Sequence, residues 1–192
     1  MLDKTLPLRK ILMKRPKGTE WKEYKLPEGY EIRLYQKGNE RDWCEIETAV
    51  GEFDDIESAL KYYEKEFMPY AEELKRRQMF IQAPNKQLIA TVTAWWRHTG
   101  ERRDPILHWV AVRPEFQGKC LGKALASAGV KRILELEGDT DIYLRTQTWS
   151  YKAVNIYLDA GFKLLEATES YAGYKNENAE AIQILGDRLK RV

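Results

Sequence analysis

What this chain of 192 residues lacks narrows its possibilities first. It has only two cysteines, Cys44 and Cys120, and no CxxC pair. That excludes a disulfide framework and suits a reducing cytoplasm. No run reaches the roughly 18 apolar residues of a membrane span. Lys4, Arg9, Lys10, Lys14 and Arg15 break up the start of the chain, so there is no continuous apolar signal core. A cytoplasmic protein without a membrane partner is expected. Charge of one sign is also missing: 32 basic side chains face 30 acidic ones, for a net +2. Such a balance lacks the field that sequence-independent nucleic-acid binding requires, so no nucleic-acid partner is expected. HExxH and carboxylate-rich calcium loops are absent, and no metal is implied. Nor is there an internal repeat or a low-complexity tract.

What is present suffices for one domain, with 43% hydrophobic residues. Residues 1–29 carry eight bases and four acids, punctuated by Pro7, Pro16, Pro27 and Gly29, and read as an irregular N-terminal extension. Alternation of Glu31, Arg33 and Tyr35 with Ile32 and Leu34 marks a first strand over 30–35. Asp54 with Glu57 resembles a capping pair. Beyond it Ile56, Leu60, Tyr63 and Phe67 recur at helical spacing until Pro69, with a second piece over 70–77. Residues 40–77 hold twelve acids against six bases, which is either a solvated helix face or an attraction for a cationic acceptor.

Two β-rich runs, 79–83 and 88–96, flank Pro84, Asn85 and Lys86 as an antiparallel hairpin. Strands follow over 106–112, 142–146 and 162–165, with helices over 121–137 and 151–160 that close at Gly138 and Gly161. A C-terminal helix within 176–192, with Ile182, Leu185 and Leu189 on one face, is expected to pack on the domain.

The stretch ILHWVAVRPEFQGKCLGKAL (residues 106–125) carries the chemistry. A strand ends before Pro114, a loop holds Gly118, Lys119 and Gly122, and a helix begins at once. Small residues let backbone amides converge on one point, and the helix start adds unpaired N–H groups and a positive dipole end, a combination that suits a diphosphate. Lys119 and Lys123 add charge. Three residues separate the glycines, and Ala124 stands where a P-loop needs Ser or Thr, so this is not a Walker loop. GxGxxG is absent too, which removes the main support for a Rossmann site. On these residues alone, an ordinary tight turn with solubilising lysines remains an equal reading.

Residues 110–125, VAVRPEFQGKCLGKAL, resemble motif A of the GNAT acetyltransferases, Val-x-Pro followed by Gln/Arg-x-x-Gly-x-Gly/Ala. Gln117 and Gly122 match. Cys120 takes the middle glycine position, where a small side chain fits if the backbone there does not demand positive φ. Downstream, Ala153, Tyr157, Gly161 and Phe162 resemble motif B in the expected order, with Ser150 where the family often has a cofactor-contacting Asn. The resemblance covers residues 30–165 in element order and implies an α/β (α+β) fold over 30–175, with a mixed, largely antiparallel sheet flanked by helices on both faces. It implies that coenzyme A enters where the 106 and 142 strands splay. It also implies acetyl-CoA as co-substrate, with its pyrophosphate held by the loop of Gln117, Gly118, Lys119, Cys120, Leu121, Gly122 and Lys123. Its pantetheine arm would lie along Val110, Ala111 and Val112, with Ser150 as a further contact.

The activity implied is direct transfer of an acetyl group from acetyl-CoA to a small-molecule or peptide amine. Tyr157 resembles the family's general acid to the departing thiolate, against a reading as a core tyrosine. His108 resembles one of the paired histidines of arylalkylamine N-acetyltransferases and can relay a proton, or is a satisfied strand histidine. A backbone N–H near a strand bulge at 110–112 would meet the oxyanion. Trp95, Trp96, Trp109 and Trp149 line an acceptor pocket or are simple core. A non-catalytic acyl-CoA-binding module remains the alternative, and oligomeric state stays open between monomer and homodimer.

Overall fold

Alternating side chains bury both faces of one seven-stranded sheet. The computed structural model describes residues 2–166, 168–169 and 171–190. Its strands are β1 (Lys10–Arg15), β2 (Glu31–Leu34), β3 (Gln78–Gln82), β4 (Leu88–Thr99), β5 (Arg102–Val112), β6 (Ile142–Gln147) and β7 (Lys163–Leu164), in the spatial order β2-β3-β4-β5-β6-β1-β7. Every neighbouring pair is antiparallel except β5 and β6. Helices α1 (Glu40–Val50), α2 (Ile56–Glu66) and α3 (Ala71–Arg77) cover one face; α4 (Leu121–Glu137), α5 (Tyr151–Asp159) and α6 (Asn178–Leu185) cover the other. The period of two assigns each strand residue to a core: Leu12, Phe80, Ile106 and Tyr143 join the α1–α3 side, while Ile11, Met13, Ile81, Leu107 and Leu144 join the α4–α6 side. No helix among the described residues is long and apolar enough to cross a membrane.

Local signals explain most boundaries. Asp55, in extended backbone, caps α2 by accepting from the Ser58 N–H at 2.7 Å. The cap is therefore one residue later than the expected pair at Asp54 and Glu57. Pro69 falls in a single 3-10 turn, Met68–Tyr70, that separates α2 from α3. Gly161 adopts φ of +88° just past α5, and Gly138 φ of +76° just past α4, both outside the comfortable range of a side chain bearing Cβ. The expected C-terminal helix is α6 followed by a 3-10 turn, Gly186–Arg188; residues 191–192 of that expectation lie outside the described residues.

The N-terminal extension departs from expectation. It contains β1, which lies between β6 and β7 and pairs with β6 over six positions from Lys10↔Gln147 to Arg15↔Ile142. Lysines and arginines hid the alternation because the strand is bounded by them, while Ile11, Leu12 and Met13 between them are fully buried. Asn178 clamps this strand: it accepts from Leu12 N–H and donates to the carbonyls of Leu12 and Leu165, each at 2.9 Å. Residues on either side of β1 are tied down too. The Trp149 indole donates to Leu6 C=O at 2.7 Å, and the Trp21 indole donates to Ser127 C=O at 3.0 Å on α4.

Close approach of α4 to the sheet depends on a missing side chain. A Cβ built at Gly129 would stand 2.4 Å from Leu107 Cδ1 and 2.7 Å from Val92 Cγ2. Gly129→Ala is expected to push α4 off the sheet and to destabilise the fold by about 1–3 kcal/mol despite its better helix propensity. A urea-unfolding midpoint that matches or exceeds that of the parent would show that α4 does not pack this tightly.

Candidate active site

A single parallel residue pair, Ile106↔Tyr143, joins β5 to β6. Beyond it the strands diverge, β5 running on with β4 to Val112 and β6 running on with β1 to Gln147. The wedge between them is a cavity of about 490 Å³. Its lining includes Val110, Ala111, Val112, Gln117, Gly118, Cys120, Leu121, Gly122, Lys123, Ser150 and Tyr157. Residues picked from two separate motifs thus meet in one space. His108 lines the same cavity. Lys119 does not: its ammonium reaches the Tyr30 hydroxyl at 3.3 Å and sits against the Tyr30 and Phe116 rings.

The loop after β5 is built to receive an anion. Pro114–Phe116 forms a 3-10 turn, and the Gln117 side chain ties the loop back by donating to Val112 C=O at 2.9 Å. Gly118 has φ of +84° and Cys120 φ of +59°, so successive peptides turn the same way. Among the described residues, the amides of Gly118, Lys119, Cys120, Leu121 and Gly122 donate to no protein acceptor; the first helical bonds begin with Lys123 and Ala124 N–H to Cys120 C=O. Five donors without a protein acceptor among the described residues, in the loop and at the helix start, fit an anion such as a diphosphate. Lys123 adds less charge than expected, because it is paired with Asp159 at 2.8 Å.

Cys120 corrects an expectation. A side chain was admissible there only if φ stayed negative, yet Cys120 is left-handed, a conformation that a glycine adopts without strain. Cys44, the other thiol, is fully buried in the α1–α3 core, and burial pushes it up to about 12. It is not a nucleophile.

On β5 a bulge sets the second half of the site. Thr91 faces Ala111 and Thr93 faces His108, so two residues, Trp109 and Val110, oppose Val92 alone. Trp109 takes φ of +50° to accommodate the extra residue. As a result His108 and Trp109, adjacent in sequence, both pack toward the α1–α3 side. Trp109 lies edge-on to Trp43 and Tyr62 and stacks on Phe53. Of the four tryptophans considered for an acceptor pocket, only Trp109 lines the cavity. Trp95 is core, Trp96 lies between Arg77 and Arg103, and Trp149 anchors Leu6.

The electrostatics here come largely from residues the sequence did not single out. Glu47, in the last turn of α1, is 1% exposed, and its Oε1 has no hydrogen-bond partner among the described residues. Burial, reinforced by Glu52, holds its carboxyl well above the usual carboxylate range. Burial also raises Glu52, opposed by Lys4, Arg145 and the Gln147 amide at 3.4 Å. The Tyr157 phenol is pushed up by burial and by both carboxylates. His108 moves the other way: burial, then Arg97 and Arg145, hold it well below its usual range, and its Nε2 lacks a partner among the described residues. It is a neutral imidazole at physiological pH. The only signal available for Glu47 was the acidic surplus of residues 40–77, which did not distinguish it from eleven solvated acids.

The comparisons with known proteins bear on this geometry. The profile of the acetyltransferase (GNAT) family matches residues 31–162. The chain belongs to the GNAT acetyltransferase family. Members of that family transfer an acyl group from acyl-coenzyme A to an amine. Among solved structures, this GNAT chain resembles a GCN5-related N-acetyltransferase from Sphaerobacter thermophilus, with a TM-score of 0.63 and 18% identity over 83% of this chain and 49% of that one. A GNAT-family acetyltransferase from Colwellia psychrerythraea gives a TM-score of 0.62 and 12% identity over 82% and 54%. Glucosamine-6-phosphate N-acetyltransferase from Arabidopsis thaliana gives 0.54 and 14% over 76% and 99%. At these identities the likeness shows the fold, and the chain spans about half the length of the first two. No curated protein matches it.

Two stability measurements check the site. Cys120→Gly is expected to raise unfolding free energy by about 0.5–1 kcal/mol, because relief of left-handed strain exceeds glycine's added chain entropy. An unchanged or lower urea midpoint would contradict the strain. For Glu47, folding raises the carboxyl's pKa, so above the unfolded value of roughly 4.3 the unfolded chain has released a proton that the native state still holds, and native stability falls as pH rises. Glu47→Gln should therefore melt with the parent near pH 4 and above it by a widening margin toward pH 8, about 2–4 °C per kcal/mol relieved. Parallel curves across that range would show Glu47 to be solvated or paired.

Proposed function

We propose that this protein transfers the acetyl group of acetyl-CoA directly to an amine acceptor, without a covalent enzyme intermediate. The observation that carries this is one cavity shared by Gly118, Cys120, Leu121 and Gly122 with their free loop amides, a diverging strand edge and the Tyr157 phenol, which suit a diphosphate, a pantetheine arm and a thioester respectively. The edge of β5 facing the wedge has backbone groups with no ladder partner after Ile106, and an amide-bearing arm can satisfy them. Neither cysteine is placed as an acyl carrier, since Cys44 is buried and Cys120 belongs to the loop.

Each proton has a candidate handler. Tyr157 remains protonated at neutral pH in its buried setting, the form in which a phenol donates to a departing thiolate. Removal of the acceptor's proton falls to Glu47, whose raised basicity suits it to the task; His108, disfavoured as a charged group, serves as a neutral hydrogen-bonding partner that passes the proton on. The extra residue of the β5 bulge leaves a peptide outside the ladder, available to the oxyanion.

The test is release of free thiol from acetyl-CoA across a panel of amines, preceded by thermal stabilisation with coenzyme A, worth about 2.7 kcal/mol at a hundredfold excess over Kd. Tyr157→Phe and Glu47→Gln are each expected to lower kcat by about 10²-fold with little change in the KM for acetyl-CoA. The Glu47 variant also loses the limb of the kcat/KM profile that rises with pH as the carboxyl ionises. Stabilisation by coenzyme A with no thiol release for any amine would favour a non-catalytic acyl-CoA-binding module instead.

A further inference from the structure

One end of the cavity holds side chains of opposite charge that form no ion pair with each other among the described residues, although Arg145 acts on Glu52 through space. Glu47 and Glu52 enter from the end of α1 and the turn after it, with the Glu47 Oε1 unpaired. Arg145 enters from β6. Its guanidinium lies 4.2 Å from the centre of the Tyr174 ring and pairs with no carboxylate among the described residues. The other arginine of this wall, Arg97, is already committed to Glu66 at 3.2 Å. An aromatic platform beneath an unpaired guanidinium holds the planar fork in place, ready for bidentate binding to a carboxylate. An acceptor bearing only an ammonium group would satisfy the acids while facing an unneutralised cation across the same space.

We propose that the acceptor is a small amino acid, its ammonium group held by Glu47 and Glu52 and its carboxylate by Arg145 on the Tyr174 ring. The proposal rests on the acetyltransferase reading above and names its substrate class. In the reaction the ammonium gives one proton to Glu47, and the freed amine nitrogen bonds to the acetyl carbon. The carbon–sulfur bond then breaks and the thiolate takes a proton from Tyr157; the nitrogen gives up its second proton, which restores the phenol by way of solvent, and Glu47 releases the first proton to solvent. Anchoring the carboxylate on one wall and the nitrogen on the other orients the nucleophile toward the thioester, so the charge pair serves positioning as well as affinity.

The experiment measures thiol release from acetyl-CoA with matched acceptors: an amino acid, its carboxamide and its decarboxylated amine, for an apolar and an aromatic side chain. Expected is a kcat/KM at least tenfold higher for the free amino acid than for either partner. Arg145→Gln should bring that ratio close to one, and Arg145→Lys should retain part of it; melting curves establish that both variants are folded. Equal or better turnover of the carboxamide and amine, or an unchanged ratio in Arg145→Gln, would overturn the amino-acid assignment and leave the transferase intact. Thiol release from no acceptor at all, with coenzyme A still stabilising the fold, would overturn both.

Discussion

The structure turns on where β5 and β6 stop pairing. Parallel strands share a ladder for a single residue pair and then separate, an arrangement that would be costly if the exposed backbone edge had nothing to bond. Everything around the wedge supports this separation. β4 holds β5 on one side and β1 holds β6 on the other, so neither strand needs its missing neighbour to stay in place. Gly129 lets α4 press closely on Val92 and Leu107, aiming the start of that helix into the gap. The opening is thus held apart by the sheet itself.

Within that frame the two ends of the cavity follow different electrostatic rules. At the loop end the protein presents neutral donors, five backbone amides at a helix start, and leaves Lys123 largely compensated by Asp159. Fixed dipoles of this kind need no reorganisation when an anion arrives. At the other end it uses ionisable side chains, and burial, reinforced by neighbouring charges, shifts Glu47 and His108 in opposite directions. The low dielectric that makes Glu47 expensive in the folded protein also makes it a stronger base than a surface carboxylate.

Much of this was legible in the sequence, and the reasons differ by element. The α4 boundaries, Leu121–Glu137, were readable because the glycine-rich loop and Gly138 bracket a clear helical run. The turn from β5 into α4 was readable because small residues at short spacing stand between a clear strand and a clear helix. β1 was missed because its buried centre is only three residues long and sits between charged neighbours in a proline-punctuated stretch. Glu47, Glu52, Arg97 and Arg145 were missed for a deeper reason: they come from three separate regions of the chain, and only the fold brings them to one chamber. The left-handed Cys120 and Trp109 could not be inferred from residue type, since both violate the local preference that such inference uses.

The bulge opposite Val92 acts as a phase shifter within one strand. Upstream of it, even-numbered positions such as Ile106 and His108 face α1–α3; downstream, it is the odd-numbered Ala111 that does, while Val110 and Val112 turn to the opposite core. Loss of one of the two bulge residues, Trp109 or Val110, would straighten the ladder with Ala111 still opposite Thr91, so the side chains downstream would keep their layers and only the placement of two adjacent aromatic rings on one face would be lost. The extra residue therefore serves the α1–α3 layer, where it sets Trp109 beside His108.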